Sequence, residues 1–134
     1  MTNKIDHIGI AVHSIQRALK FYEDILGLKQ REILEVPERG VRAAMIDGGY
    51  STIELIEPMG PDSPLTKFLE KRGEGIHHIA FEVTDIERTM ENLKAKDIEF
   101  INPKPYLGTH NRKVVFLSPK SCHGVLIELC QRTI

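Results

Sequence analysis

His7-Ile8-Gly9-Ile10-Ala11-Val12 is answered later in the chain by His78-Ile79-Ala80-Phe81-Glu82-Val83, an offset of 71 residues. The offset persists into the next element, where Ile15, Arg17 and Leu19 fall on Ile86, Arg88 and Met90. A second echo follows at an offset of 74, Ile53-Glu54-Leu55 against Ile127-Glu128-Leu129. The chain therefore reads as one module written twice, and each copy carries a histidine and a glutamate at matching places. Two imidazoles and two carboxylates are what a duplicated module needs to enclose one divalent metal ion.

Outward from those phrases the pattern predicts β-α-β-β-β, a connector, then β-α-β-β-β again. Residues 4–12 alternate as a strand. Ser14 is an N-cap, and Ile15, Leu19, Tyr22 and Leu26 give a helical stripe closed by Gly27. Strands follow near 29–35, 41–47 and 51–57, with Asp47-Gly48-Gly49 as the turn between the last two. Ser63-Pro64 is a cap and an N1 proline, so 64–72 reads as a short connector helix stopped by Gly73. The second copy predicts a strand at 76–83, a helix at 86–96 capped by Asp85, and strands near 98–102, 113–118 and 124–130. At 134 residues and 41% hydrophobic content the chain is expected to form one domain, 1–134. Module one covers about 4–58 and module two about 76–131.

Strand parity tests whether the four polar residues face one side. Ile8, Ile10 and Val12 share the face expected under the helix, which leaves His7 with Gly9 and Ala11 on a spacious opposite face. In the second copy Ile79, Phe81 and Val83 form the core face, so His78, not His77, looks the other way with Ala80 and Glu82. Glu54 lies opposite Ile53 and Leu55, and Glu128 opposite Val125, Ile127 and Leu129. A carboxylate inside Val125-Leu126-Ile127-Glu128-Leu129 is costly to bury unless paired, protonated or coordinated. His7, Glu54, His78 and Glu128 are accordingly the candidate metal ligands. Zinc, cobalt, nickel, manganese and iron(II) all suit such a set. Glu57 and Glu82 read as solvent-side or rim residues.

A net charge of −1, with Lys and Arg scattered, gives no reason to expect nucleic acid or an anionic membrane as partner. No apolar run approaches the ~20 residues of a membrane span, and Thr2-Asn3-Lys4 is not a secretory signal. Cys122 and Cys130 make no CxxC pair, so the expectation is a protein of the reducing cytoplasm with Cys130 as a small strand hydrophobe. Lys104, Arg112, Lys113 and Lys120 read as solvated surface charges.

With the repeat and its four polar residues established, the chain resembles the vicinal oxygen chelate (glyoxalase/bleomycin resistance) superfamily. That resemblance implies an α+β fold in which two tandem βαβββ modules form a cupped mixed sheet around a metal site. Ligands on the first and last strands of each module would be His7, Glu54, His78 and Glu128. Within the superfamily the chain is similar to the methylmalonyl-CoA epimerases. The stretches are Pro37-Glu38-Arg39-Gly40-Val41, Pro58 to Pro64, His77-His78-Ile79-Ala80, Gly108-Thr109-His110 and, above all, Pro119 to Leu129. This implies a metal-dependent isomerase that interconverts (2R)- and (2S)-methylmalonyl-CoA by α-proton abstraction. Its partners would be an acyl-CoA thioester and a second copy of the chain in a homodimer.

One departure concerns the bases. Some epimerases carry a glutamate three residues after the Gly of the Pro-Glu-x-Gly-Val phrase, and here that position is Ala43. The resemblance then implies Glu128 and Glu54 as the pair of catalytic bases, and leaves the identity of the second open. Glyoxalase I shares the same ligand types and nearly the same proton transfer, so lactoylglutathione lyase is the alternative activity. A drug-sequestering protein of the bleomycin-resistance type is the alternative from a different class, and it would leave both strand glutamates without a reason.

Overall fold

The computed structural model describes residues 2–131. Eight strands and three helices occur among them, so the fold class is mixed α+β. The strands are β1 (Thr2–Ala11), β2 (Lys29–Val36), β3 (Val41–Asp47), β4 (Thr52–Pro58), β5 (Gly75–Val83), β6 (Tyr106–Leu107), β7 (Lys113–Leu117) and β8 (Ile127–Gln131). The helices are α1 (Ile15–Leu19), α2 (Pro64–Arg72) and α3 (Ile86–Lys94). Among the described residues two compact units result: His7–His77, and residues 78–131 together with residues 2–6.

In the first unit the strand order is β2-β3-β4-β1. β1 and β4 run parallel, with Ile8 beside Ile53 and Gly9 beside Glu54. β3 is antiparallel to both β2 and β4. Parallel neighbours need a crossover, and α1 begins it. Ser14 caps α1 by accepting the Arg17 N–H. Ile10, Val12, Ile15, Leu19, Ala44, Ile46 and Leu55 pack together between helix and sheet. Burying a side chain such as Leu55 contributes about 1.5–3 kcal/mol. On the other face Ala11, Ala43 and Ile56 meet Leu65 and Leu69 of α2. The alternation read from sequence is therefore the one observed.

The second unit repeats the plan in the order β5-β8-β7-β6. β5 and β8 are parallel, with Ala80 beside Glu128, and β7 is antiparallel to β8. Val83, Ile86, Met90, Val115, Leu117 and Leu129 form the core under α3. Ala80, Val114, Phe116 and Cys130 form the opposite face.

Five expectations are corrected. The strand expected near 98–102 is reduced to a single bridge, Phe100 with Leu117, and the edge of this unit is Tyr106–Leu107. Pro103 and Pro105 have no N–H to extend a ladder. The Asn102 side chain instead accepts the Phe116 N–H at 3.1 Å. Leu26, expected on the inward helical stripe, is 53% exposed. The turns over Lys20–Ile25 widen, and Leu26 N–H reaches back to Phe21. That extra residue per turn rotates Leu26 off the stripe. α3 stops at Lys94, and β8 starts at Ile127 because His123 and Gly124 turn the chain with positive φ. Glu57, read as solvent-side, is half-buried and bonded to the Ile15 N–H and to Arg42.

Candidate functional site

Each unit presents one imidazole beside one carboxylate, built the same way. In the first unit Glu54 lies across the parallel ladder from Gly9, two residues beyond His7. His7 Nε2 and Glu54 Oε1 are 3.7 Å apart, with side chains 12% and 7% exposed. In the second unit Glu128 lies across from Ala80, two residues beyond His78. His78 Nε2 and Glu128 Oε1 are 3.4 Å apart, with side chains 0% and 4% exposed. The small residue between histidine and glutamate leaves room for the two longer groups to converge. His77 points away and meets Phe68 of α2 edge-on, ring centroids 4.8 Å apart.

Both separations exceed the ~2.7–2.9 Å of a charge-assisted hydrogen bond. Two donors about 2.1 Å from a shared ion stand roughly 3.0–3.4 Å apart in octahedral or tetrahedral geometry; the second pair has that spacing, and the first, at 3.7 Å, lies a few tenths of an ångström wider. A neutral imidazole and a carboxylate are also the right chemistry for a borderline divalent metal. On both counts the residues fit such an ion. Neighbours differ between the copies: Glu54 has Met45 beside it on β3, and Glu128 has Phe116 on β7. The Phe116 ring stands edge-on to His78 at 5.9 Å and helps to hold its plane.

Sequence reasoning missed a second feature, which lies in the second unit. Arg112 Nη1 donates to Asp6 Oδ2 at 2.5 Å, the Asp6 side chain being 6% exposed. Burial works against the Arg112 charge, yet the Asp6 carboxylate, through charge and hydrogen bond, raises its pKa above the ordinary arginine value. Nothing in the sequence joins positions 6 and 112, so only the fold reveals the pair. Cys130, on the same face of β8 as Glu128, is pushed up to about 12 by burial and by the Asp6 and Glu128 carboxylates. It is a neutral thiol and, as expected, a small strand hydrophobe. Lys113 does lie at the surface, paired with Glu87 at 2.7 Å.

Residues 6–116 match the model of the glyoxalase/bleomycin resistance protein/dioxygenase superfamily. The chain is 39% identical over 129 residues to the mitochondrial methylmalonyl-CoA epimerase of Mus musculus, covering 96% of this chain and 72% of that one. Among solved structures, a hypothetical protein from Bacillus halodurans C-125 superposes with a TM-score of 0.97 at 45% identity, covering 100% of this chain and 97% of the other. A variant of the Streptomyces coelicolor methylmalonyl-CoA epimerase in complex with 2-nitronate-propionyl-CoA superposes with a TM-score of 0.92 at 37% identity, each chain covered in full.

Proposed function

The chain belongs to the glyoxalase/bleomycin resistance protein/dioxygenase superfamily, and on that premise we propose that it is a metal-dependent epimerase of methylmalonyl-CoA. The observation that carries this reading is the matched pair of imidazole–carboxylate contacts, one in each unit, buried at equivalent strand positions. Methylmalonyl-CoA epimerases similar over nearly the whole chain give the substrate class. We assign His7, Glu54, His78 and Glu128 as the ligands of one divalent ion, which makes the whole chain the working unit. Cobalt, zinc, nickel, manganese and iron(II) are all compatible with these donors.

Epimerisation next to a thioester removes a weakly acidic C–H proton and returns one to the opposite face. When bound, the ion supplies Lewis-acid stabilisation of the negative charge that develops on the thioester oxygen. The chain's own task is proton handling. Glu128 takes the proton from one face of the α-carbon, and Glu54 in protonated form delivers one to the other. The roles exchange in the reverse direction. His7 and His78 hold the ion and carry no proton.

A free oxygen on each glutamate is needed for this work, because a carboxylate oxygen committed to a metal is a weak base. The reading also assigns the enzyme to the cytoplasm, where Cys122 and Cys130 stay reduced, and to a homodimer, on the strength of the resemblance. Among the described residues no helix is long and apolar enough to cross a membrane.

The alternative is lactoylglutathione lyase. The observation in its favour is Ala43, which is 1% exposed and packed with Ala11 and Ile56. No carboxylate stands there, in keeping with the glyoxalase I resemblance, in which two metal-site glutamates serve as the bases. Incubation with one enantiomer of methylmalonyl-CoA tests the proposal: approach to a racemic mixture supports it. Turnover of the methylglyoxal–glutathione hemithioacetal without racemisation selects the alternative.

A further inference from the structure

Arg112 is an expensive residue in its place. Its side chain is only 24% exposed. One of its five N–H groups donates to Asp6, and among the described residues the other four donate to no side chain or backbone acceptor. A guanidinium that has lost most of its water and filled one donor site leaves the rest to seek an acceptor. The backbone leading to it is unusual too. His110 and Asn111 both take left-handed conformations, φ 59° and 56°. Such conformations cost free energy for residues with a Cβ, and they mark functional loops. The loop is closed by Gly108 N–H donating to the Arg112 carbonyl at 2.8 Å. Strain, closure and the buried Asp6 together fix where the guanidinium stands.

Its surroundings say what it would receive. Arg112 immediately precedes β7, whose Val114 lies opposite Cys130 and whose Phe116 lies opposite Glu128 in the ladder with β8, so its charge reaches Cys130 and Glu128 as well as Asp6. Glu128 is the residue assigned above as a base. We propose that Arg112 is a substrate-recognising residue whose unused N–H groups bind the free carboxylate of a malonyl-type thioester beside Glu128. The planar fork accepts a carboxylate bidentately while its other edge stays on Asp6. Because Asp6 holds the side chain in advance, little ordering entropy is lost when the anion arrives. The identity of the thioester rests on the epimerase reading; the anion site does not.

The test is a cycle of substrate carboxylate against arginine. Binding of methylmalonyl-CoA and of propionyl-CoA, which lacks the carboxylate, is measured by calorimetry on metal-replete wild type, Arg112→Met and Arg112→Lys. Contributions of the ion and of the CoA portion are common to all arms and cancel. Wild type should prefer methylmalonyl-CoA, Arg112→Met should lose about tenfold or more of that preference, and Arg112→Lys should recover part of it. Propionyl-CoA should bind all three alike, which also shows that the variants are folded. An equal loss for both ligands would make Arg112 a structural residue and overturn the proposal. So would a preference left unchanged in Arg112→Met, or one absent from wild type. Preference through Arg112 without racemisation would keep the anion site and remove the epimerase reading.

Discussion

Gln131 accepts the N–H of Ile86, the first residue of α3, at 2.7 Å. Glu57 accepts that of Ile15, the first residue of α1, at 2.8 Å. Each acceptor lies three residues beyond the glutamate of its own module. The duplication thus extends to the way each strand ties down the helix that precedes it in its unit. A first-turn N–H has no partner within the helix, so an outside acceptor stabilises the helix start. It also fixes the far end of the strand that bears Glu54 or Glu128.

Removing that tie should cost stability rather than chemistry. Gln131→Ala and Glu57→Ala are each expected to lose about 1 kcal/mol through the missing acceptor, and Glu57→Ala also leaves Arg42 with Glu35 as its remaining carboxylate partner. For a chain of this size 1 kcal/mol corresponds to roughly 3–5 °C in Tm. Thermal denaturation followed by circular dichroism checks both values, and metal content should stay unchanged.

The two glutamates should separate kinetically. Glu128→Gln is expected to lower racemisation by roughly 10²–10⁴-fold, the usual worth of a general base. Glu54→Gln should retain the ion and still exchange the α-proton of one enantiomer, while racemisation collapses. Metal analysis alongside enantiomer-resolved deuterium uptake checks this. Full racemisation by a metal-loaded Glu54→Gln would remove Glu54 from the mechanism.

Chelation should act on stability as well as on activity. A ligand that binds only the folded state at about a hundred times its Kd contributes roughly 2.7 kcal/mol. EDTA is therefore expected to lower Tm by several degrees and abolish racemisation, and added cobalt(II) should restore both. A Tm indifferent to EDTA and cobalt would show that no such ion is held.

The Cys130 thiol gives a pH prediction. Its pKa is raised to about 12 in the fold by burial and the Asp6 and Glu128 carboxylates, against ~8.5 in an unfolded chain. A raised thiol pKa contributes stability that is whole below the unfolded value and is lost as pH rises through about 12. Denaturant midpoints should fall between about pH 9 and 12, and less so in Cys130→Ala. At pH 8 a thiol reagent should label half-buried Cys122 and spare Cys130 until the protein unfolds.

Much of this was legible in the chain because strands report their faces by parity. His7 with Gly9, and Glu128 between Ile127 and Leu129, betray their sides without any coordinates. The capped helix starts at Ser14, Ser63 and Asp85 were legible for a similar reason, since a cap is a local hydrogen bond. Three features were not. The edge at Tyr106–Leu107 depends on Asn102 replacing a backbone partner, which no periodicity records. The widened turn after Lys20 shifts the phase of a stripe that looks regular in sequence. Arg112 looks like any loop arginine until the fold sets it on Asp6.

Proton exchange bears most directly on the central claim. Metal-replete protein is incubated with methylmalonyl-CoA in D₂O, with an EDTA-treated control and a parallel hemithioacetal assay. The account predicts rapid loss of the α-C–H signal in the metal-replete sample alone. Retention of that signal while the hemithioacetal is turned over would contradict it and make the protein a glyoxalase.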